Sequence, residues 1–219
     1  MHTSLPVTTL NSRMHAVSLP ARRFSDLILF SVTLGELVFL VKLTPEFTSV
    51  DWIYISSHLL VLAIAFTRPA PIVQDRSLVS VAAVIGAYAY PYAQMSYLEV
   101  IPGQPGWPSG GLVFVTIGAC LSVVSLLSLG RSFGIRPALR TLVTKGPYHF
   151  VRHPMYLSYV LSDIGYNLQE WNSGTIALTL AGWTCLLYRI LAEEHLLSRD
   201  PGWPRFEATV PYRLLPGIW

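Results

Sequence analysis

Charge is what this sequence has least of. Only 12% of its 219 residues are Asp, Glu, Lys or Arg, against roughly 25% in a soluble domain, while 52% are hydrophobic. That balance excludes an ordinary soluble domain and implies a polytopic membrane protein, whose apolar faces look at lipid. The net charge of +3 is small and spread along the chain. No basic arm or basic–aromatic stripe is present, so nucleic acid is not an expected partner. Cysteine is almost lacking: Cys120 and Cys185 both sit in apolar segments, where they read as small buried hydrophobes and not as a disulfide framework. No internal repeat is visible. Residues 1–24 lack an apolar core and are rich in Ser, Thr, Pro and Arg, so they read as a flexible tail and not as a signal peptide.

Long apolar runs are there in number. Stretches of about 20 apolar residues can cross a bilayer as helices. Candidates lie at residues 25–42, 52–67, 78–98, 111–130, 155–170 and 174–192, the last two joined only by "EWNSG" in a tight helical hairpin. The 155–170 arm is short and carries Ser158, Ser162, Asp163 and Asn167. The expected fold is therefore all-α, a bundle of five to six membrane spans. With the N-terminus in the cytoplasm, all but Lys42 of the 15 Lys and Arg residues fall on the cytoplasmic side, as the positive-inside rule requires. Both termini are expected there. Glu36 and Asp163 fall within spans, where a carboxylate is costly and points to an interior or a cavity.

Against this background "GPYHFVRHPMY" (Gly146–Tyr156) stands out as a polar insert on the cytoplasmic side. Pro147 and Pro154 lack backbone donors and push their predecessors out of helix. Gly146 and His153 are thus expected at turns, with Pro154 in the first turn of the next helix. His153 then sits at a helix mouth, where free N–H groups favour a carboxylate or a phosphate, and Tyr156 lies one turn in. His149 and His153 have the spacing of helical zinc ligands, but Pro154 breaks the helix that would give it meaning, so no metal is expected. Further on, "YRILAEEHLL" (Tyr188–Leu197) ends the last span. Its Arg189 and Glu193 have the spacing of a surface pair, and one Glu is placed to reach a cationic or hydroxyl-bearing ligand. The aromatic tail "DPGWPRFEATVPYRLLPGIW" (Asp200–Trp219) suits a membrane interface, and its Tyr212 and Arg213 equally suit the cap of a pocket.

Four segments occur in order: "LGRSFG" (Leu129–Gly134), "LVTKGPYHFVRHPMYLS", "EEHLL" and "VPYRLLPGIW". In that order and spacing the chain resembles the isoprenylcysteine carboxyl methyltransferase-like family, which is similar to the phospholipid methyltransferases. The resemblance covers residues 129–219, whereas residues 25–128 form N-terminal spans with no shared motif. It implies a membrane methyltransferase using S-adenosylmethionine, with a C-terminal cofactor pocket open to the cytoplasm. Tyr148, His153, Pro154, Tyr156, Glu193 and Glu194 match the positions that line that pocket in the family. A lipophilic methyl acceptor would arrive from the bilayer: a prenylcysteine-like carboxylate, a lipid or a small hydrophobic molecule. Thr209 departs from the eukaryotic pattern, which has Arg before Val-Pro, and Arg213 follows instead, as in prokaryotic relatives. Glu194 is expected to hold the cofactor and Arg213 to face the acceptor or close the pocket, the two being the candidate catalytic residues. Two other functions fit the same residues: a sterol-type membrane reductase using NADPH, and a non-catalytic lipid-binding membrane protein.

Overall fold

The computed structural model describes residues 19–43, 48–75 and 77–219. Most of the expected tail, together with Arg13 and Arg76 of the charge count, lies outside the described residues. Among those described, seven helices account for nearly all regular structure: α1 (Leu19–Leu43), α2 (Ser49–Thr67), α3 (Leu78–Val100), α4 (Pro108–Leu129), α5 (Pro154–Gln169), α6 (Ser173–Leu197) and α7 (Trp203–Thr209). All six apolar candidates are helices, and α1 begins earlier than expected, at Leu19. α7 falls within the tail, where no helix was expected.

Local chemistry sets the helix starts. Thr48 and Asp51 form a reciprocal capping box at α2, in which the Thr48 N–H donates to Asp51 Oδ2 at 2.8 Å. Ser77 accepts from the Ser80 N–H at α3, and Asn172 accepts from the Gly174 N–H at α6. α4, α5 and α7 instead carry proline in the first turn, where its missing N–H costs nothing.

α2, α3, α4 (with the turn after it) and α6 are long and apolar enough to cross a membrane, and the protein is an integral membrane protein. α1 carries a shorter apolar stretch, Leu29–Val38. α5 has 16 residues, about 24 Å at 1.5 Å per residue, which is short of the ~30 Å hydrocarbon core. Exposed apolar side chains such as Phe66 and Leu78 give the bundle a lipid-compatible surface.

Small residues decide which helices touch. α4 and α5 approach through Gly111, Gly118 and Gly165; a Cβ on Gly118 would lie 2.8 Å from the Ser158 carbonyl oxygen. α3 packs on α6, where a Cβ on Gly182 would fall 2.5 Å from the Tyr90 ring. This is the small-residue packing of membrane helices, which gain little from apolar contact alone. The α5–α6 hairpin is tight at its turn, but its arms choose different neighbours, α4 and α3. Between α3, α5 and α6 lies a polar seam. Tyr90 and Trp183 both donate to Asp163 Oδ2, at 2.7 and 2.8 Å, which explains the intramembrane carboxylate: it is interior and bonded. Cys185 fits against Gly86, whereas Cys120 is exposed on α4. Burial is thus corrected for Cys120, since a thiol facing lipid needs no polar partner.

The loops gather at two ends. At one end β2 (Gln104–Pro105) pairs with β4 (Glu170–Trp171). At the other, β1 (Val73–Gln74) pairs with β3 (Ala138–Leu139), and arginines fasten the strands' surroundings to backbone carbonyls. Arg131 donates to Thr67 O at 2.7 Å and Arg140 to Pro69 O at 2.9 Å. These basic residues therefore order the segment between α4 and α5, which forms one wall of the site.

Candidate functional site

The GPYH segment forms a 3-10 turn, Gly146–His149, entered through Gly146 at φ +60°. That left-handed conformation suits glycine. His153 is the N-cap of α5 and Pro154 its first residue, as the two prolines require. His149 is exposed and packs edge-on against Phe150, away from His153's partners.

Glu194, near the end of α6, is the hub of a buried ion cluster. Its Oε1 accepts from Arg152 Nε at 2.8 Å and lies 3.1 Å from His153 Nε2; its Oε2 accepts from Arg213 Nε at 2.8 Å. Backbone bonds tie the tail to the same point. The Arg152 N–H donates to Tyr212 O and the His153 N–H to Arg213 O, both at 2.9 Å. The Arg213 N–H donates to Trp219 O at 2.7 Å, and its guanidinium lies over the Trp219 ring at 4.9 Å. The last residues of the chain are thereby folded into a closed turn against α5 and α6, where Leu214 and Trp219 pack beside Tyr156, Leu186 and Ile190.

Next to this cluster lies a pocket enclosing about 740 Å³ of non-atom space, its open mouth included. Tyr148, His153, Tyr156 and Glu193 form part of its wall; Pro154 lies buried behind them. Tyr156 donates to Glu193 Oε2 at 3.0 Å. Burial pushes the Tyr148 phenol well above its usual pKa, so it stays a neutral group beside Glu193. Neither Glu194 nor Arg213 is part of the wall. The structure pairs them with each other behind it, with His153 between Glu194 and the cavity.

Two arginines carry more of the site than the sequence pattern conveys. Arg152 counts as a loop charge in the sequence, yet it is 5% exposed, bonded to Glu194 and to Val210 O, and stacked near the Trp203 ring. Arg189 does not act as a surface partner of Glu193. It is buried in the pocket wall, donates through Nη2 to Ile135 O at 2.8 Å, and is flanked by the rings of Tyr156 and Tyr88 at 5.3 and 5.7 Å. Its Nε–H is buried without a partner. A buried donor left unpaired costs about 1–3 kcal/mol. Both arginines lie inside segments that stand out in the sequence, Arg152 in "GPYHFVRHPMY" and Arg189 in "YRILAEEHLL", but nothing in either segment signals burial.

Residues 111–199 match the isoprenylcysteine carboxyl methyltransferase (ICMT) family. The chain is ICMT-like. Among its relatives is protein-S-isoprenylcysteine O-methyltransferase B of Arabidopsis thaliana, 28% identical over 174 residues, which are 72% of this chain and 84% of that protein. A probable protein-S-isoprenylcysteine O-methyltransferase of Oryza sativa subsp. japonica is 34% identical over 95 residues, 41% of this chain and 50% of the rice protein. The nickel-cobalt-cadmium resistance protein NccN of Alcaligenes xylosoxydans xylosoxydans is 34% identical over 104 residues, covering 46% of this chain and 47% of its own length. The ICMT-like chain is a membrane methyltransferase, and its family match contains the pocket turn, α5 and all of α6. α1 to α3 and the tail that carries Arg213 lie outside that match.

Proposed function

We propose that the protein transfers a methyl group from S-adenosylmethionine to a lipophilic acceptor drawn from the bilayer. The observation that carries this is the pairing, in one pocket wall, of a carboxylate with a free edge and a buried guanidinium with an unpartnered Nε–H, Glu193 and Arg189. A zwitterionic, hydroxyl-rich cofactor supplies what both lack. When bound, that cofactor supplies an electrophilic methyl on a sulfonium, so an acceptor with a lone pair needs mainly placement, and placement is a large source of rate.

Each residue has a defined part. Glu193, held by Tyr156, accepts from an ammonium or from ribose hydroxyls, a charge-assisted bond. Tyr148 and the aromatic rings of Trp203 and Phe206, also in the wall, give an adenine flat apolar faces. Arg189 offers its Nε–H to an oxygen, either of the cofactor's carboxylate or of the acceptor. Glu194 acts behind the wall: it fixes His153 from one side and Arg213 from the other, and so holds the tail down over the end of the bundle. In this arrangement Glu194 and Arg213 serve the reaction by positioning.

The site end carries the arginine-rich loops, which the positive-inside rule assigns to the cytoplasm. Both termini and the pocket mouth lie there in this proposal, and the acceptor's apolar body stays in the bilayer. The test is methyl-label transfer by the purified full chain on a native lipid extract, with the product identified by mass spectrometry. Label in a lipophilic product supports the reading. NADPH-dependent reduction with no label transfer would favour the reductase alternative and overturn it.

A further inference from the structure

Residues 214–219 dock on the bundle by apolar contact alone. Among the described residues, their hydrogen bonds all stay inside the closed turn. The Arg213 and Leu214 N–H groups donate to Trp219 O, and the Ile218 and Trp219 N–H groups to Leu215 O. The root of the turn is fastened: Tyr212 O and Arg213 O accept from Arg152 and His153, and Arg213 pairs with Glu194. Beyond the root, Leu214 and Trp219 hold the turn down by packing on the cluster of Tyr156, Leu186 and Ile190. Leu215 and Ile218 are exposed, and residues 214–219 carry no charged side chain. Leu186 and Ile190 lie within the apolar span Ser173–Leu197, so the turn rests beside the span at lipid depth. Such a unit can swing out as one body. No hydrogen bond to the bundle breaks, and the apolar surface it uncovers meets lipid tails, which are as apolar as the side chains that leave.

The turn touches the pocket directly. Tyr156 belongs both to the pocket wall and to the cluster on which Leu214 and Trp219 pack, and Tyr159, also of the wall, packs on the same cluster. The other seams of the bundle are closed more firmly. α4 and α5 meet backbone to backbone at Gly111, Gly118 and Gly165, and α3 and α6 interlock where Gly86 meets Cys185 and Gly182 meets Tyr90. Behind Phe133 and Met155 of the wall the core continues through Ile64 of α2 to the fully buried Leu29 of α1. Between α5 and α6 at the site end, a single layer of side chains stands between the pocket and the turn.

We infer that the turn Leu214–Trp219 is a lateral door, and that the acceptor's apolar chain passes from the bilayer into the pocket between α5 and α6 when Trp219 swings out. Leu214 and Trp219 are the bolt, and the root held by the Arg213–Glu194 pair is the hinge. The acceptor thus never crosses water, and the cofactor wall of Glu193 and Arg189 stays in place while the door moves. The passenger rests on the methyltransferase reading above; the motion of the door does not.

The experiment uses the full chain in nanodiscs, with Cys120 and Cys185 replaced and Met155→Cys placing one thiol in the pocket wall; Leu129→Cys, in the same wall, repeats it at a second position. Two probes report the two ways in: N-dodecylmaleimide from the bilayer and a sulfonated maleimide from water through the pocket mouth. Adding Trp219→Ala should speed labelling by the bilayer probe at least about tenfold, with Trp219→Phe in between, because the closed state loses its main apolar contact. Labelling by the sulfonated probe and affinity for S-adenosylhomocysteine should both stay within about twofold. An unchanged rate with the bilayer probe, or equal acceleration of both probes, overturns the door. A fall in S-adenosylhomocysteine affinity that accompanies Trp219→Ala also overturns it, since the turn would then be a support of the cofactor wall. Methyl transfer by the wild-type protein is measured separately: its absence overturns the methyltransferase reading, while the labelling rates decide the door.

Discussion

Arg213 and Glu194 meet at 2.8 Å across the seam between the tail and the end of α6, and the carboxylate that receives Arg213 also receives Arg152 and His153. One carboxylate therefore serves three donors. Removing it should cost more than removing any one of them.

Glu194→Gln leaves Arg152, whose side chain is 4% exposed, with only the longer contact to the half-exposed Glu207 carboxylate at 3.7 Å. Breaking a buried pair from one side costs about 3–5 kcal/mol. Arg213, at 26% side-chain exposure, is better hydrated and should cost less. The two effects should not add, because they remove the same contact. Thermal unfolding in nanodiscs, with protease cleavage of residues 205–219 as a second readout, checks this. Additive losses would show that the tail is held by something else.

Arg189→Ala should lower S-adenosylhomocysteine affinity by roughly tenfold or more and also destabilise the fold, since the Ile135 carbonyl loses its donor. Arg189→Lys should recover little, because an ammonium cannot reproduce a planar group stacked between two tyrosine rings. Binding and melting curves for both variants decide it, and full recovery by Lys would contradict the stacked role.

Much of this was legible in the sequence. The apolar helices followed from the lengths of the apolar runs, and His153 at a helix mouth followed from Pro154. What stayed hidden depended on tertiary partners. Glu193 and Glu194 are neighbours in the chain, and only the packing of α5 against α6 shows that one faces a cavity and the other an ion cluster. Arg152 and Arg189 read as solvated charges because a guanidinium's burial is decided by partners far away in sequence. Glu36 stands out in the sequence as a carboxylate within a span, but its partner His58 does not, and α1 must lie on α2 before they meet.

The α4–α5 contact should be intolerant of bulk. Gly118→Ala and Gly165→Ala place a Cβ against the opposing backbone or Val115, and overpacking of this kind costs about 1–3 kcal/mol. Gly35→Ala, with nothing within 4 Å of the new Cβ, should be neutral or slightly stabilising, as Ala favours helix over Gly. Melting temperatures of the three variants test the ordering.

Cysteines introduced at Gln104 and Ser198, in a background where Cys120 and Cys185 are replaced, should label from opposite sides of sealed vesicles, with Ser198 on the cytoplasmic side. Labelling of both from one side would contradict the two-ended arrangement of the loops.

The central claim is that the pocket walled by Glu193, Tyr156 and Arg189 holds the methyl donor, and calorimetric titration of S-adenosylhomocysteine tests it most directly. The wild-type protein should bind it and not NADPH. Glu193→Gln and Tyr156→Phe should each weaken binding by roughly 10- to 150-fold, the equivalent of about 1.5–3 kcal/mol for a bond to a charged group. Unchanged affinity in both variants would contradict the account.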